Sequence, residues 1–223
     1  MNVLLSRIHF PVTTLGYGRR IGIWTQGCHI RCQGCVSRDT WDPERGFSTS
    51  ITDILHHCHK WFGSADGVTL SGGEPFEQPE ALLELLALIR SSHPGDILVF
   101  SGFEREALLS QPVVTHGLVD VLVSGPYRSE AGQTLTLRGS DNQRIDLLTP
   151  LARERYPADI DRRLWESPRR MDFFPTDTTL FMAGIPEPGW GENFRTALAA
   201  RGFACRTSEQ QSKSINHLDS IRL

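Results

Sequence analysis

The chain has 223 residues, 39% hydrophobic and 22% charged, with a formal net charge of −3. That is enough for one sizeable core, is not the composition of a disordered chain, and gives no reason to expect a general nucleic-acid surface. Met1 to Phe10 hold no stretch of signal-peptide length, no run reaches transmembrane length, and the ending Ser-Ile-Arg-Leu is no lipidation box. A cytoplasmic protein with reduced thiols and no membrane partner is therefore expected.

In chain order, Arg20 to Thr25 reads as a strand, rich in β-formers, that runs into a cysteine loop. Ser50 to Asp53 reads as a capping box. Ile51, Ile54, Leu55, Cys58, Trp61 and Phe62 then recur at helical spacing, with His56, His57 and His59 as the flank of that helix rather than a metal cluster. Val68 to Leu70 is a short strand, and a helix with Pro79 in its first turn follows, with Leu82, Leu83, Leu85, Leu86 and Ile89 inward. Ile97 to Phe100 is a strand, Glu104 to Ser110 a short helix, and Val119 to Val123 another strand. Strand alternating with helix implies parallel strands and crossover helices, an α/β fold. Later, Thr134 to Leu137 alternates as a half-buried strand, Arg138 to Arg144 is a polar loop, and Ile145 to Leu148 is a strand. Residues 151–175 form an irregular, arginine-rich excursion, for which a solvated surface is the plain reading. Thr179 to Ala183 is a last strand and Trp190 to Arg201 a last helix stopped by Gly202. Residues 1–205 are expected to be one domain and 206–223 a polar tail.

Three of the five cysteines fall in the run Cys28-His29-Ile30-Arg31-Cys32-Gln33-Gly34-Cys35, a C-x3-C-x2-C pattern. Three thiolates this close can converge on a compact metal centre, leaving a cubane iron–sulfur cluster one protein ligand short. Two rivals stand beside this reading. A structural zinc site wants four ligands, and His29 is awkwardly placed to be the fourth. Disulfides do not suit a reducing compartment and would leave one of five cysteines unpaired. Cys58 reads as core packing and Cys205 as a buried or edge thiol. The second informative segment is Ser71-Gly72-Gly73-Glu74-Pro75, at the end of a strand expected to be parallel, where α/β folds place ligands. Its glycines permit close backbone approach, and its carbonyls can accept from an ammonium group.

The cysteine spacing together with Gly72 to Pro75 is the signature of the radical S-adenosylmethionine superfamily, which this chain resembles. Cys28 through Trp41 is similar to the activating enzymes of glycyl radical proteins. Asp120 to Tyr127 and Arg138 to Ile145 are similar to blocks of the anaerobic ribonucleoside-triphosphate reductase activators. The resemblance implies a partial, open (β/α)6 barrel of TIM type. It implies a [4Fe-4S] cluster on Cys28, Cys32 and Cys35 whose open iron chelates S-adenosylmethionine. Ser71, Gly72, Gly73, Glu74 and Pro75 would bind the methionine end of that cofactor. Ser101 and Gly102, on the next strand's rim, and Asn142 and Arg144 are candidates for its ribose or carboxylate. The implied activity is reductive cleavage to methionine and a 5′-deoxyadenosyl radical, fed by a low-potential donor such as a flavodoxin, to make a glycyl radical on a partner protein. Two alternatives stay open: a small-molecule enzyme of the deazaguanine-synthase kind, and a non-catalytic iron–sulfur or zinc module. The chain departs from the pattern at Ser124, where the activators usually carry an acid. It departs again at Gly34, where many radical enzymes place an aromatic residue over the adenine, so that another group must cover the base here.

Overall fold

A computed structural model describes residues 1–166, 168–177 and 179–205. The expected polar tail, 206–223, lies outside the described residues. Strand β1 (Asn2–Val12) turns back into β2 (Arg20–Thr25), and β3 (Phe47–Ser50) returns beside β1. Helix α1 (Ile51–Phe62) leads to β4 (Gly67–Gly72), α2 (Pro79–Ser92) to β5 (Asp96–Phe100), and two short helices, α3 (Arg105–Leu109) and α4 (Pro112–Thr115), to β6 (Val121–Ser124). Strand β7 (Arg144–Leu147) is followed by α5 (Pro150–Arg155), then β8 (Asp172–Pro175), β9 (Leu180–Ala183) and α6 (Trp190–Ala199).

The main sheet has seven strands in the order β3-β1-β2-β4-β5-β6-β7. Its centre, β2-β4-β5-β6, is parallel. The expected α/β fold with parallel strands is therefore present, but as a mixed sheet with four parallel strands rather than six. The physical reason lies in the connections. Parallel neighbours need a crossover, which α1, α2 and the α3–α4 pair supply, whereas β1 and β7 reach their neighbours through loops and so run antiparallel. All six residues of β2 are buried, as a strand covered on both faces requires.

One face of the sheet packs against α1 and α2 through Ile54, Cys58, Leu82, Leu85, Leu86 and Ile89. The Ser50 hydroxyl accepts the Asp53 N–H and caps α1, as its sequence signature implies. His56 and His59 are exposed on its flank. On the other face, Ala152, Tyr156 and Ile160 pack on Leu98, Val121 and Val123, so the arginine-rich excursion covers core and is more than a solvated surface. The β8–β9 hairpin forms a separate two-stranded sheet. It packs the rings of Phe174 and Phe181 against His9 of β1, at centroid distances of 4.3 and 4.7 Å. Thr134 to Leu137 is not a strand and contributes only an isolated bridge from Leu135 to Leu164. Asp141 takes the Thr134 and Leu135 N–H groups, and Leu137 has a φ of 58°, so the alternating pattern never meets a sheet edge. Among the described residues no helix is long and apolar enough to cross a membrane.

The N-terminal end of the parallel strands is tied by a buried charge network. Arg20 donates to Thr69 (2.6 Å), to the Val68 carbonyl (2.8 Å) and to the Asp96 carboxylate (2.8 Å). Tyr156 and Arg155 reach the same carboxylate at 3.0 and 3.1 Å. Both partners of the central pair are fully buried, so removing one strands the other charge in the core. Arg20→Ala is expected to lower unfolding stability by about 3–5 kcal/mol, and the double change Arg20→Met with Asp96→Leu to recover part of that loss. Denaturant midpoints check this, and a loss for Arg20→Ala no larger than that of an exposed arginine would contradict it.

Candidate metal centre

The opposite end of the sheet, at the C-termini of β2, β4, β5 and β6, gathers four loops. The first carries the cysteines. Gln26, buried at the end of β2, closes this loop by donating its side-chain amide to the Asp39 (2.9 Å) and Asp42 (2.7 Å) carbonyls. The Gly27 and Cys28 N–H groups bond to the Thr40 and Trp41 carbonyls at 2.8 and 3.1 Å. Between these pins the chain bends through Arg31 and Gly34, both at positive φ (50° and 79°), which brings Cys28, Cys32 and Cys35 into one small turn. All three are free thiols and half-buried.

The second loop, after β4, docks onto the first by backbone. Gly73 N–H donates to the Thr25 carbonyl (2.9 Å) and Glu74 N–H to the Gly27 carbonyl (2.8 Å). A Cβ on Gly73 would fall inside the van der Waals shell of the Gly27 carbonyl oxygen. The close approach that the glycine pair permits is therefore made, in the first instance, to the cysteine loop itself. Glu77 adds a clamp, accepting the His29 N–H and facing its ring Nδ1, both at 2.8 Å.

Glu74 ties in the third loop. It is 1% exposed, and its carboxylate accepts from the Ser101 hydroxyl (2.8 Å), the Gly102 N–H (2.7 Å) and the Phe76 N–H (3.1 Å). Burial nevertheless pushes its pKa up to about 7, against the pull of those three donors. Ser101 and Gly102 thus stand on the same rim as Ser71 to Pro75, with their hydroxyl and N–H committed to Glu74. Ile30 of the cysteine loop lies directly over Gly102.

The fourth loop, after β6, is held by residues 138–144. Gln143 donates to the Gly125 carbonyl (2.8 Å) and accepts the Gly139 and Ser140 N–H groups. Asn142 donates to the Pro126 carbonyl (2.9 Å) while its own oxygen is buried without a partner. Arg144 lies beside Ser124 in register, but its exposed side chain pairs with Asp161 at 3.1 Å. Ser124, standing where an acid was expected, is buried with an unpartnered hydroxyl. Gln26, Glu77, Gln143 and the nearly fully buried Arg138, which anchors the Arg138 to Arg144 block, carry no sign of these roles in the sequence, because their partners lie on other segments.

The donor set discriminates among metals. Burial raises the Cys28 thiol, and pushes Cys35 up to about 11 while the other two cysteines add to the rise. Any metal must therefore displace protons here. N–H groups of the loop backbone and the Trp41 side chain face the Cys28 and Cys35 sulfurs and favour the thiolate form. Among the described residues, no three His, Cys, Asp or Glu side chains close around a single ion, and the His29 ring is turned to Glu77. Three soft sulfurs spread over one turn fit a cluster better than a four-ligand zinc ion.

Residues 14–146 match the family described as a 4Fe-4S single cluster domain. The anaerobic ribonucleoside-triphosphate reductase-activating protein of Enterobacteria phage T4 is 29% identical over 136 residues, 58% of this chain and 85% of the phage protein. A pyruvate formate-lyase-activating enzyme of Listeria monocytogenes is 37% identical over 100 residues, and pyruvate formate-lyase 1-activating enzyme of Escherichia coli K12 33% identical over 97. Those alignments cover 41% and 42% of this chain but only 40% and 39% of the two enzymes. The crystal structure of QueE from Escherichia coli superposes with a TM-score of 0.40 at 20% identity, over 45% of this chain and 53% of that one.

Glu74 sets a pH dependence. The folded protein keeps a proton there that the unfolded chain releases near pH 4.5, so its contribution is full below that pH and is lost as pH climbs to about 7. Against Glu74→Gln, the wild type should lose up to about 3 kcal/mol over that window. Parallel stability–pH curves for the two proteins would contradict this.

Proposed function

Because this chain belongs to the 4Fe-4S single cluster domain family, in the activating branch of the radical S-adenosylmethionine enzymes, we propose that it activates a partner protein by generating a glycyl radical on it. When bound, the cluster and S-adenosylmethionine supply the chemistry: reductive cleavage to methionine and a 5′-deoxyadenosyl radical. What the chain supplies is binding, orientation and exclusion of water.

Cys28, Cys32 and Cys35 would hold the cluster, and the N–H groups facing their sulfurs would offset its negative charge. Ser71, Gly72, Gly73 and Pro75 would present the methionine end of the cofactor to the cluster, with Glu74 fixing their distance from β5. Ser101 and Gly102 act in this reading through Glu74, since their donors already meet its carboxylate. Asn142 keeps a free acceptor for a ribose hydroxyl. Arg144 would reach a carboxylate by leaving Asp161. In this reading the rim is the mouth of an open partial barrel that admits a peptide segment of the partner, and the donor is a low-potential protein of the flavodoxin kind in the cytoplasm.

The observation that carries this reading is the junction of the two loops: three thiols in one turn, locked by backbone to a Gly-Gly-Glu-Pro segment at the C-terminal end of parallel strands. Anaerobic protein loaded with iron and sulfide, reduced with dithionite and given S-adenosylmethionine should release 5′-deoxyadenosine. Cys28→Ser, Cys32→Ser and Cys35→Ser should each abolish it. Adding a glycyl radical enzyme from the same source should produce the doublet electron paramagnetic signal of a glycyl radical. No 5′-deoxyadenosine from the wild type would sink the enzyme reading. Its release without a radical on any protein would sink the partner reading in favour of a small-molecule substrate.

A further inference from the structure

Gly34, just before the third cysteine of the site, has no side chain, and the space one would need there is taken from elsewhere. A Cβ on Gly34 would lie 3.2 Å from Cε1 of Tyr127 and 3.9 Å from its hydroxyl oxygen. Tyr127 comes from the loop after β6, on the opposite side of the rim from β2.

The ring is held with more hardware than a surface turn needs. Its hydroxyl accepts from the Gln133 side-chain amide at 2.7 Å. Its other edge rests on Gly139, where a Cβ would be 3.0 Å from Cδ2. The backbone on both sides is latched by three residues of one block. Gln143 takes the Gly125 carbonyl, Asn142 the Pro126 carbonyl, and the Ser140 hydroxyl accepts the Arg128 N–H at 3.0 Å. That block is anchored in turn by Arg138, 1% exposed, which donates to the Gln143 carbonyl (2.5 Å) and to Asp161 (3.0 Å). A buried guanidinium and three latches converge on the placement of one half-buried aromatic ring beside the cysteines.

We propose that Tyr127 is an adenine-binding residue, whose ring supplies the aromatic surface for the purine of S-adenosylmethionine in the volume left open at Gly34. This rests on the reading that the cofactor binds at the cysteine loop. A purine ring gains from stacking on an aromatic side chain whatever its sequence context, and a preplaced ring loses little freedom on binding. The Arg138 to Arg144 block is then a positioning device for Tyr127, in addition to the contact assigned to Asn142.

The test compares two ligands on the full chain carrying its cluster: S-adenosylmethionine, and methionine, which lacks the base. Dissociation constants are read from the change each makes in the electron paramagnetic signal of the reduced cluster. Tyr127→Leu should weaken S-adenosylmethionine about tenfold or more and leave methionine unchanged, while Tyr127→Phe stays close to wild type. Unchanged S-adenosylmethionine affinity in Tyr127→Leu overturns the proposal, and so does an equal loss for both ligands, which would mark a purely structural ring. A second measurement avoids variants that fold poorly. In the wild type, which has three tyrosines, S-adenosylmethionine but not methionine should shift a tyrosine band in ultraviolet resonance Raman spectra, and that band should be missing in Tyr127→Phe. A spectrum that responds to neither ligand, or equally to both, overturns the proposal. Wild-type protein that holds a cluster yet binds neither ligand would instead overturn the cofactor reading beneath it, and the proposal with it.

Discussion

The backbone contact between Gly73 and Gly27 fixes everything around the site. It lets the Glu74 N–H reach the Gly27 carbonyl and so joins the ends of β2 and β4 beyond their last ladder bond. The Glu74 side chain then carries the junction to β5. A carboxylate this deeply buried is costly, and three hydrogen bonds do not fully offset its desolvation, as its raised pKa shows. That imbalance sits where three loops must keep a fixed spacing. The two ends of the sheet thereby divide their tasks: the Arg20–Asp96 network closes the N-terminal end, and the C-terminal end holds the cysteines, as parallel α/β architecture favours.

The later part of the chain serves the same rim less directly. The block from Arg138 to Arg144 spends most of its polar groups on the loop after β6, and Arg138 is buried to hold the block. Behind it, the excursion after α5 packs Tyr156 and Ile160 on the sheet, while Asp172 of β8 receives the Thr13 and Thr14 N–H groups and pins the hairpin over β1 and β2. An α/β sheet with only four parallel strands thus acquires a covered second face without further β/α units.

The chemistry of the site was legible because it is local. C-x3-C-x2-C is one turn of chain, and Gly-Gly-Glu-Pro is another, and the helices α1 and α2 announce themselves by a Ser50 cap and an apolar face. What was not legible depends on partners far along the chain. Strands β1 and β3 escaped because β1 mixes buried and half-exposed residues without clean alternation. Thr134 to Leu137 alternates as a strand should, yet Asp141 captures its N–H groups. The roles of Glu74, Ser101 and Gly102 pointed toward a ligand, whereas their first partners are one another. Gly34 is plain in sequence as a missing side chain, but only the fold brings Tyr127 to it.

The most direct test is Mössbauer spectroscopy of protein loaded anaerobically with labelled iron, with and without S-adenosylmethionine. The account predicts a cubane in which one iron differs from its thiolate-bound neighbours and changes its isomer shift when the cofactor is added. A cluster whose irons are all bound by protein and ignore S-adenosylmethionine, or a centre that takes up zinc in place of iron, would contradict it.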